Sequence, residues 1–200
     1  MTKDFFAAVR DRRSYYSLEN KAPISDEKIK NIVTEAIKYA PSPFNCQSAR
    51  AVLLLATEHK KLWDIVKAQL RKVNKPEDFV NVENKINSSF ASGYGTVLFF
   101  EDMSVVEGLQ KRFTLYKDNF PLWSHQSSGM FQFIVWTALE VEGFGASLQH
   151  YNPLIDNEIK ATWKIADDWK LLSQMPFGLP IEKPQEKDFS PLDQRVKIFE

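Results

Sequence analysis

The chain has 200 residues, 44% of them hydrophobic and 13% aromatic, enough apolar side chains to bury a substantial core in one domain spanning 1–200. Its 26 basic and 26 acidic side chains cancel, which excludes the dense positive field that non-specific nucleic-acid binding needs. The only cysteine, Cys46, excludes an intrachain disulfide, and the longest apolar run, 130–141, is interrupted by Gln132 and Glu140, short of the roughly 20 residues of a membrane span.

At the N-terminus Lys3, Asp4 and Arg10 stand where a secretory signal needs an unbroken apolar stretch, so the expected location is cytoplasmic. Thr2 is the expected cap of a first helix whose Phe5, Phe6 and Val9 share one face. It leads into Arg12-Arg13-Ser14-Tyr15-Tyr16, two forked guanidinium groups and a hydroxyl followed by aromatics, a set that suits a phosphate dianion. The second helix has Ser25 as cap, Asp26 and Glu27 at its positive end, an apolar stripe of Ile29, Ile32, Val33, Ala36 and Ile37, and Pro41 as its stop. Pro41 to Ser48 is a structured loop, and Ala51 to Ala56 is an unalternated apolar run expected as a strand buried on both faces.

Two amphipathic helices follow, one around Leu62, Trp63, Ile65, Val66 and Leu70, the other after Pro76 with Phe79, Val82, Ile86 and Phe90. Gly95 to Phe100 is a second buried strand, expected to end at Glu101 and Asp102. Ser104 is the expected cap of a helix through Val105, Leu109, Phe113 and Leu115, broken by Pro121. The most apolar helix runs from about His125 to Glu142, with Gly143 as a left-handed cap, and is expected at the centre. Gly145 to Leu148 is a short strand, Asn152-Pro153 the expected start of a helix through Ile155, Ile159 and Trp163, Trp169 to Met175 a strand, and Pro176-Phe177-Gly178 a turn. Pro180, Pro184 and Pro191 make the rest an extended tail. Strands and helices without a strand-helix-strand rhythm point to an α+β sheet, not a doubly wound nucleotide fold.

Familiar catalytic signatures are missing. His59, His125 and His150 are far apart in sequence and lack metal-ligand spacing, and no Walker loop, GxGxxG or GxSxG occurs. Cys46 has no nearby base and is expected to be a packing residue.

Arg12-Arg13-Ser14, the Pro41-Ser42-Pro43-Phe44-Asn45-Cys46-Gln47 loop, the segments Gly93 to Asp102 and Leu148 to Pro153, and Arg195-Val196-Lys197 occur in this order over nearly the whole chain. In that combination the sequence resembles the FMN-dependent nitroreductase family, and most closely its short branch. The resemblance implies an α+β nitroreductase-like fold, with a central mixed, mainly antiparallel sheet flanked by helices, in a homodimer with an extended C-terminal tail. It implies that Arg12, Arg13, Ser14 and Tyr16 hold FMN at its phosphate end, joined by Arg195 and Lys197. Pro41, Ser42, Pro43, Asn45 and Gln47 would lie against the isoalloxazine, contributed across the dimer interface, and Leu148 and Gln149 would present backbone groups at flavin N5. Side chains at the pyrimidine edge come, in larger members, from the segment before the second strand; here it contains Asn84 to Phe90, with Lys85 or Asn87 as candidates.

The implied activity is that of an NAD(P)H oxidoreductase that takes hydride from NADH or NADPH onto the flavin and reduces a nitroaromatic or quinone acceptor by a ping-pong mechanism, with no catalytic acid or base required. The alternative is a flavin-binding regulatory or stress-response protein with incidental reductase activity.

Overall fold

A computed structural model describes residues 3–200. The described residues form an α+β fold around one antiparallel sheet, in the strand order β1 (Leu18–Glu19), β5 (Trp169–Pro180), β3 (Gly95–Asp102), β2 (Ala49–Leu55), with β4 (Gly145–Ala146) also paired to β5. All eight residues of β3 are buried. Its pleat sends Val97 and Phe99 to one face and Leu98 and Phe100 to the other, which is why the run does not alternate.

On the first face lie α2 (Asp26–Tyr39), through Ile29, Val33 and Ala36, and α6 (Phe120–Val141), through Phe131, Val135 and Leu139. The second face is covered by α3 (Ala56–Val73) with Leu62, Trp63 and Val66, by α4 (Pro76–Ser89) with Ile86, and by α7 (Asp156–Trp163) with Ile159. A polar pin crosses this second core: the Thr96 hydroxyl accepts from Trp63 Nε1 at 3.1 Å and pairs with His59 Nδ1 at 2.9 Å. The expected central helix is α6, closed by Gly143 at φ +88°. Ser25 caps α2 as expected, accepting from the Lys28 amide.

Several boundaries differ from expectation, each for a local reason. Asp4 caps α1 (Phe5–Asp11), accepting from the Ala7 amide, whereas Thr2 lies outside the described residues. Phe5 and Phe6 point into solvent while Ala8 is buried. β2, an edge strand, is packed on both faces as expected, Ala51 and Leu53 against the first core and Val52 and Leu54 against the second, but most of its residues are only partly buried. β3 does not stop at Glu101 and Asp102 but runs through both, because each acid has a partner. The Ser48 hydroxyl donates to Glu101, and Arg50 pairs with Asp102 at 2.8 Å. Asp102, not Ser104, caps α5 (Met103–Arg112), accepting from the Ser104 and Val105 amides. Burial pushes Asp102 up, but the Ser104 hydroxyl, the Arg50 charge and those amides outweigh it and hold the carboxyl below its usual range.

α5 ends at Arg112, and Leu115 falls in a separate 3-10 turn. Pro121 sits in the first turn of α6, where its missing amide proton is harmless, so α6 starts at Phe120 rather than near His125. α7 starts only at Asp156, after a turn that contains Asn152 and Pro153, joined by a cis peptide. Pro176-Phe177-Gly178 is strand, not turn: Pro176 O accepts from Ser147 and Gln174 O from Gln149. The missing amide proton of Pro176 therefore points to the interrupted β4 side, not into the β3 ladder.

Candidate functional site

The arginine run leaves α1 and lies along β4. Ser14 pairs with Ala146 as a parallel bridge, and the Tyr15 amide donates to Ala146 O at 3.0 Å. This approach requires glycine at 145, where a Cβ would sit 2.9 Å from Tyr15 Cβ and Cγ. Arg12-Arg13-Ser14 and the strand exit at 147–149 are thereby neighbours, although far apart in sequence.

A groove of about 610 Å3 opens here between residues 12–17 and the start of the tail, with Glu182, Lys183, Gln185 and Lys187 on its far wall. Arg12 lies over the Trp136 ring at 4.4 Å from its centroid. Its Nε is buried and has no hydrogen-bond partner among the described residues. Burial, and then the charge of Arg13, lower the pKa of Arg12 from the usual arginine value, an environment that an incoming anion would relieve. Arg13 donates to the Gln185 carbonyl at 2.6 Å and so ties the run to the tail. Tyr16 packs against Phe90 just beyond α4, with centroids 6.2 Å apart.

At the strand exit, Ser147 donates to Pro176 O and Gln149 exchanges both backbone hydrogen bonds with Gln174, at 2.7 and 2.9 Å. Among the described residues the Leu148 amide between them has no partner. The Gln149 side chain donates to the Ser147 hydroxyl.

The 41–48 loop is rigid. Ser127 of α6 donates to Pro41 O, and the Ser42 hydroxyl accepts from the Gln47 amide at 3.0 Å across a 3-10 turn at Pro43–Asn45. Phe44, Asn45 and Gln47 all take left-handed backbone, with φ of 53°, 51° and 52°. Arg50 donates to Gln47 O at 2.7 Å. Phe44 stacks on Phe113, with centroids 4.7 Å apart. Pro41, Ser42 and Pro43 face a second groove of about 340 Å3, shared with Phe44, Trp123, Gln126 and Met130 and with no residue of the arginine groove.

Of the other candidates, Arg195 and Lys197 lie in the exposed tail and line no part of the arginine groove. Lys183 and Lys187 line it instead; in the sequence their only signal was a mixed-charge stretch around Pro184. Asn87 accepts from Lys67 of α3 at 3.0 Å, and Lys85 is exposed. Cys46 Sγ lies 3.4 Å from the Ser48 hydroxyl. His59 is buried and satisfied by Thr96 and Ala91 O, but His125 and His150, distant in sequence, line one cavity with Lys170. Among the described residues no three His, Cys, Asp or Glu side chains form a metal cluster, and no helix is long and apolar enough to cross a membrane.

An antiparallel sheet between helical layers defines an α+β protein, and its guanidinium groove opens beside a strand exit with donors that suit an anionic group. A nitroreductase family model matches residues 9–179, and the chain belongs to the nitroreductase family, a family of oxidoreductases. It is 33% identical over 190 residues to nitroreductase FRM2 of Saccharomyces cerevisiae, covering 94% of each chain. It is 37% identical to nitroreductase CinD of Lactococcus lactis, solved with chloramphenicol, with a TM-score of 0.90 over 98% of this chain and 100% of that one. A Desulfovibrio desulfuricans protein solved in complex with FMN shares the fold at 19% identity, with a TM-score of 0.70 over the full length of both.

Proposed function

We propose that the protein is a homodimeric, FMN-dependent NAD(P)H oxidoreductase that reduces nitroaromatic or quinone acceptors. The observation that carries this reading is the buried, unpartnered Arg12 Nε in a groove one bridge away from the strand exit at Leu148. The residues fit a phosphorylated ligand: an orphaned guanidinium donor, a second arginine, the Ser14 hydroxyl and, on the opposite wall, Lys183 and Lys187. FMN, when bound, supplies the two-electron chemistry between the nicotinamide and the acceptor. Arg12 and Arg13 neutralise its phosphate, Leu148 offers its free amide to the ring, and the 41–47 loop supplies a rigid edge of backbone and short polar groups. That loop faces a separate groove within one chain, which supports its delivery to the arginine groove by a two-fold related copy.

The relatives named above include a nitroreductase solved with chloramphenicol, which supports nitroaromatics as the acceptor class. The test is the absorption spectrum of the purified protein reconstituted with FMN, followed by anaerobic reduction with NADH and NADPH in turn. A flavin spectrum bleached by a nicotinamide and restored by a nitroaromatic or quinone is the expected result. A protein that binds no added FMN would refute the reading.

A further inference from the structure

Between α6 and the segment after β4 lies a cavity of about 350 Å3, whose lining includes His125, Ser128, Gln132, His150, Asn152 and Lys170. That volume lies near the lower end of the roughly 300–1,000 Å3 of small-molecule pockets. Its polar groups are biased towards donors, and no carboxylate lines it. The imidazoles of His125 and His150 and the Lys170 ammonium have no hydrogen-bond or ion-pair partner among the described residues. The Ser128 oxygen accepts from Gln132 at 2.9 Å, which leaves its proton free to donate. Asn152 accepts from Gln174 at 3.3 Å through its carbonyl oxygen, which leaves its amide protons free. Asp156 feels Lys170 but forms no ion pair with it, and burial holds its carboxyl above the usual range. Leu171 and Leu172 add an apolar wall.

The cavity adjoins the strand exit of one proposed flavin site and the loop proposed to serve the site of the two-fold related copy. Ser127, beside Ser128 on α6, donates to Pro41 O of the ring-facing loop, and His150 follows Gln149, which is fixed to β5 through Gln174. We propose that this cavity is an anion subsite of the reductase, binding the carboxylate of an aromatic acid substrate or a phosphate of the nicotinamide nucleotide, an inference that rests on the function proposed above. Its donors hold the anion, and its apolar wall takes the group that carries it.

Calorimetric titration of benzoate and of inorganic pyrophosphate into the FMN-loaded protein compares wild type with His125→Ala and Lys170→Met, both at exposed positions. Loss of one hydrogen bond from such a donor to an anion weakens binding by about tenfold or more. Weaker benzoate binding, with a matching rise in the ratio of KM for 4-nitrobenzoate to KM for nitrobenzene, assigns the site to carboxylates. Weaker pyrophosphate binding, with a raised KM for NADH or NADPH, assigns it to the nucleotide phosphate. Absence of binding to wild type, or equal affinity for both probes in wild type and both variants, overturns the subsite whether or not nitrobenzene is reduced. Variant-sensitive benzoate binding by a protein that reduces no acceptor would instead uphold the subsite and remove the reductase.

Discussion

Arg12 and Arg13 are adjacent but differently employed. Arg13 already donates to Gln185 O, while Arg12 rests on Trp136 with its Nε buried and unmatched. An unmatched buried donor costs about 1–3 kcal/mol, and more where it is charged, a cost that a bound phosphate oxygen removes. Arg12→Ala is therefore expected to weaken FMN binding about 10- to 100-fold in a fluorescence titration, with Arg12→Lys intermediate because it keeps the charge but loses the fork. Arg13→Ala should do less. His59 shows the opposite use of a titratable group, as a neutral donor and acceptor in the core. Burial lowers its pKa to about 4, against a raising effect from its hydrogen bond to Ala91 O. A histidine depressed in the folded state leaves stability intact above its unfolded value of about 6.5 and removes it as pH falls towards 4, because only the unfolded chain takes up the proton there. The full loss is of order 3 kcal/mol. His59→Gln should lower Tm at neutral pH but flatten its fall between pH 6.5 and 4 relative to wild type. An unchanged slope in thermal melts would show that His59 is not the group responsible.

At the scale of elements, the site is held by the contact between the 12–15 run and β4. Gly145→Ala would drive a methyl into Tyr15 and towards Pro180 Cβ at 3.0 Å. Overpacking of this kind costs about 1–3 kcal/mol, and here it is relieved most directly by displacing the 12–15 run. FMN affinity should therefore fall several-fold although no flavin-facing polar group is touched, and a variant with reduced Tm but wild-type affinity would uncouple the contact from the site. Elements carried by local chemistry were legible in the sequence: α2 with Ser25 and its apolar stripe, α6 with its all-round apolar surface, and the Gly143 cap. Those decided by distant partners were not. Glu101 and Asp102 look like strand breakers until Ser48, just before β2, and Arg50, within it, arrive to pair with them. Pro176 looks like a turn until β4 is seen to leave its nitrogen unneeded. The candidate site divides in the same way. The arginine run, the 41–47 loop and the 147–149 exit stand out locally, whereas Lys183, Lys187 and the His125–His150 cavity exist only through tertiary placement.

For the whole molecule, the exposed apolar surface and the separation of the two grooves point the same way. Phe5 is 64% exposed, Phe6 67%, Phe44 56% and Phe199 90%, apolar surface that the dimer proposed above offers a means of covering. Residues 41–44 of the loop line a different groove from the arginines of the same chain, the arrangement expected if, as proposed above, the loop serves the flavin of a second copy. This yields a test that a cis site cannot pass. One variant carries Arg12→Ala and Arg13→Ala with an intact loop; the other carries Ser42→Ala and Asn45→Ala with intact arginines. Each homodimer has only damaged sites. Unfolding and refolding the two together at equal concentration gives, by random pairing, half heterodimers, each with one intact site and one doubly damaged site. FMN-binding capacity should then recover to about a quarter of wild type, measured by flavin absorbance after gel filtration. No recovery, in a preparation shown by light scattering to be dimeric, would place the loop and the arginines of one flavin site in the same chain.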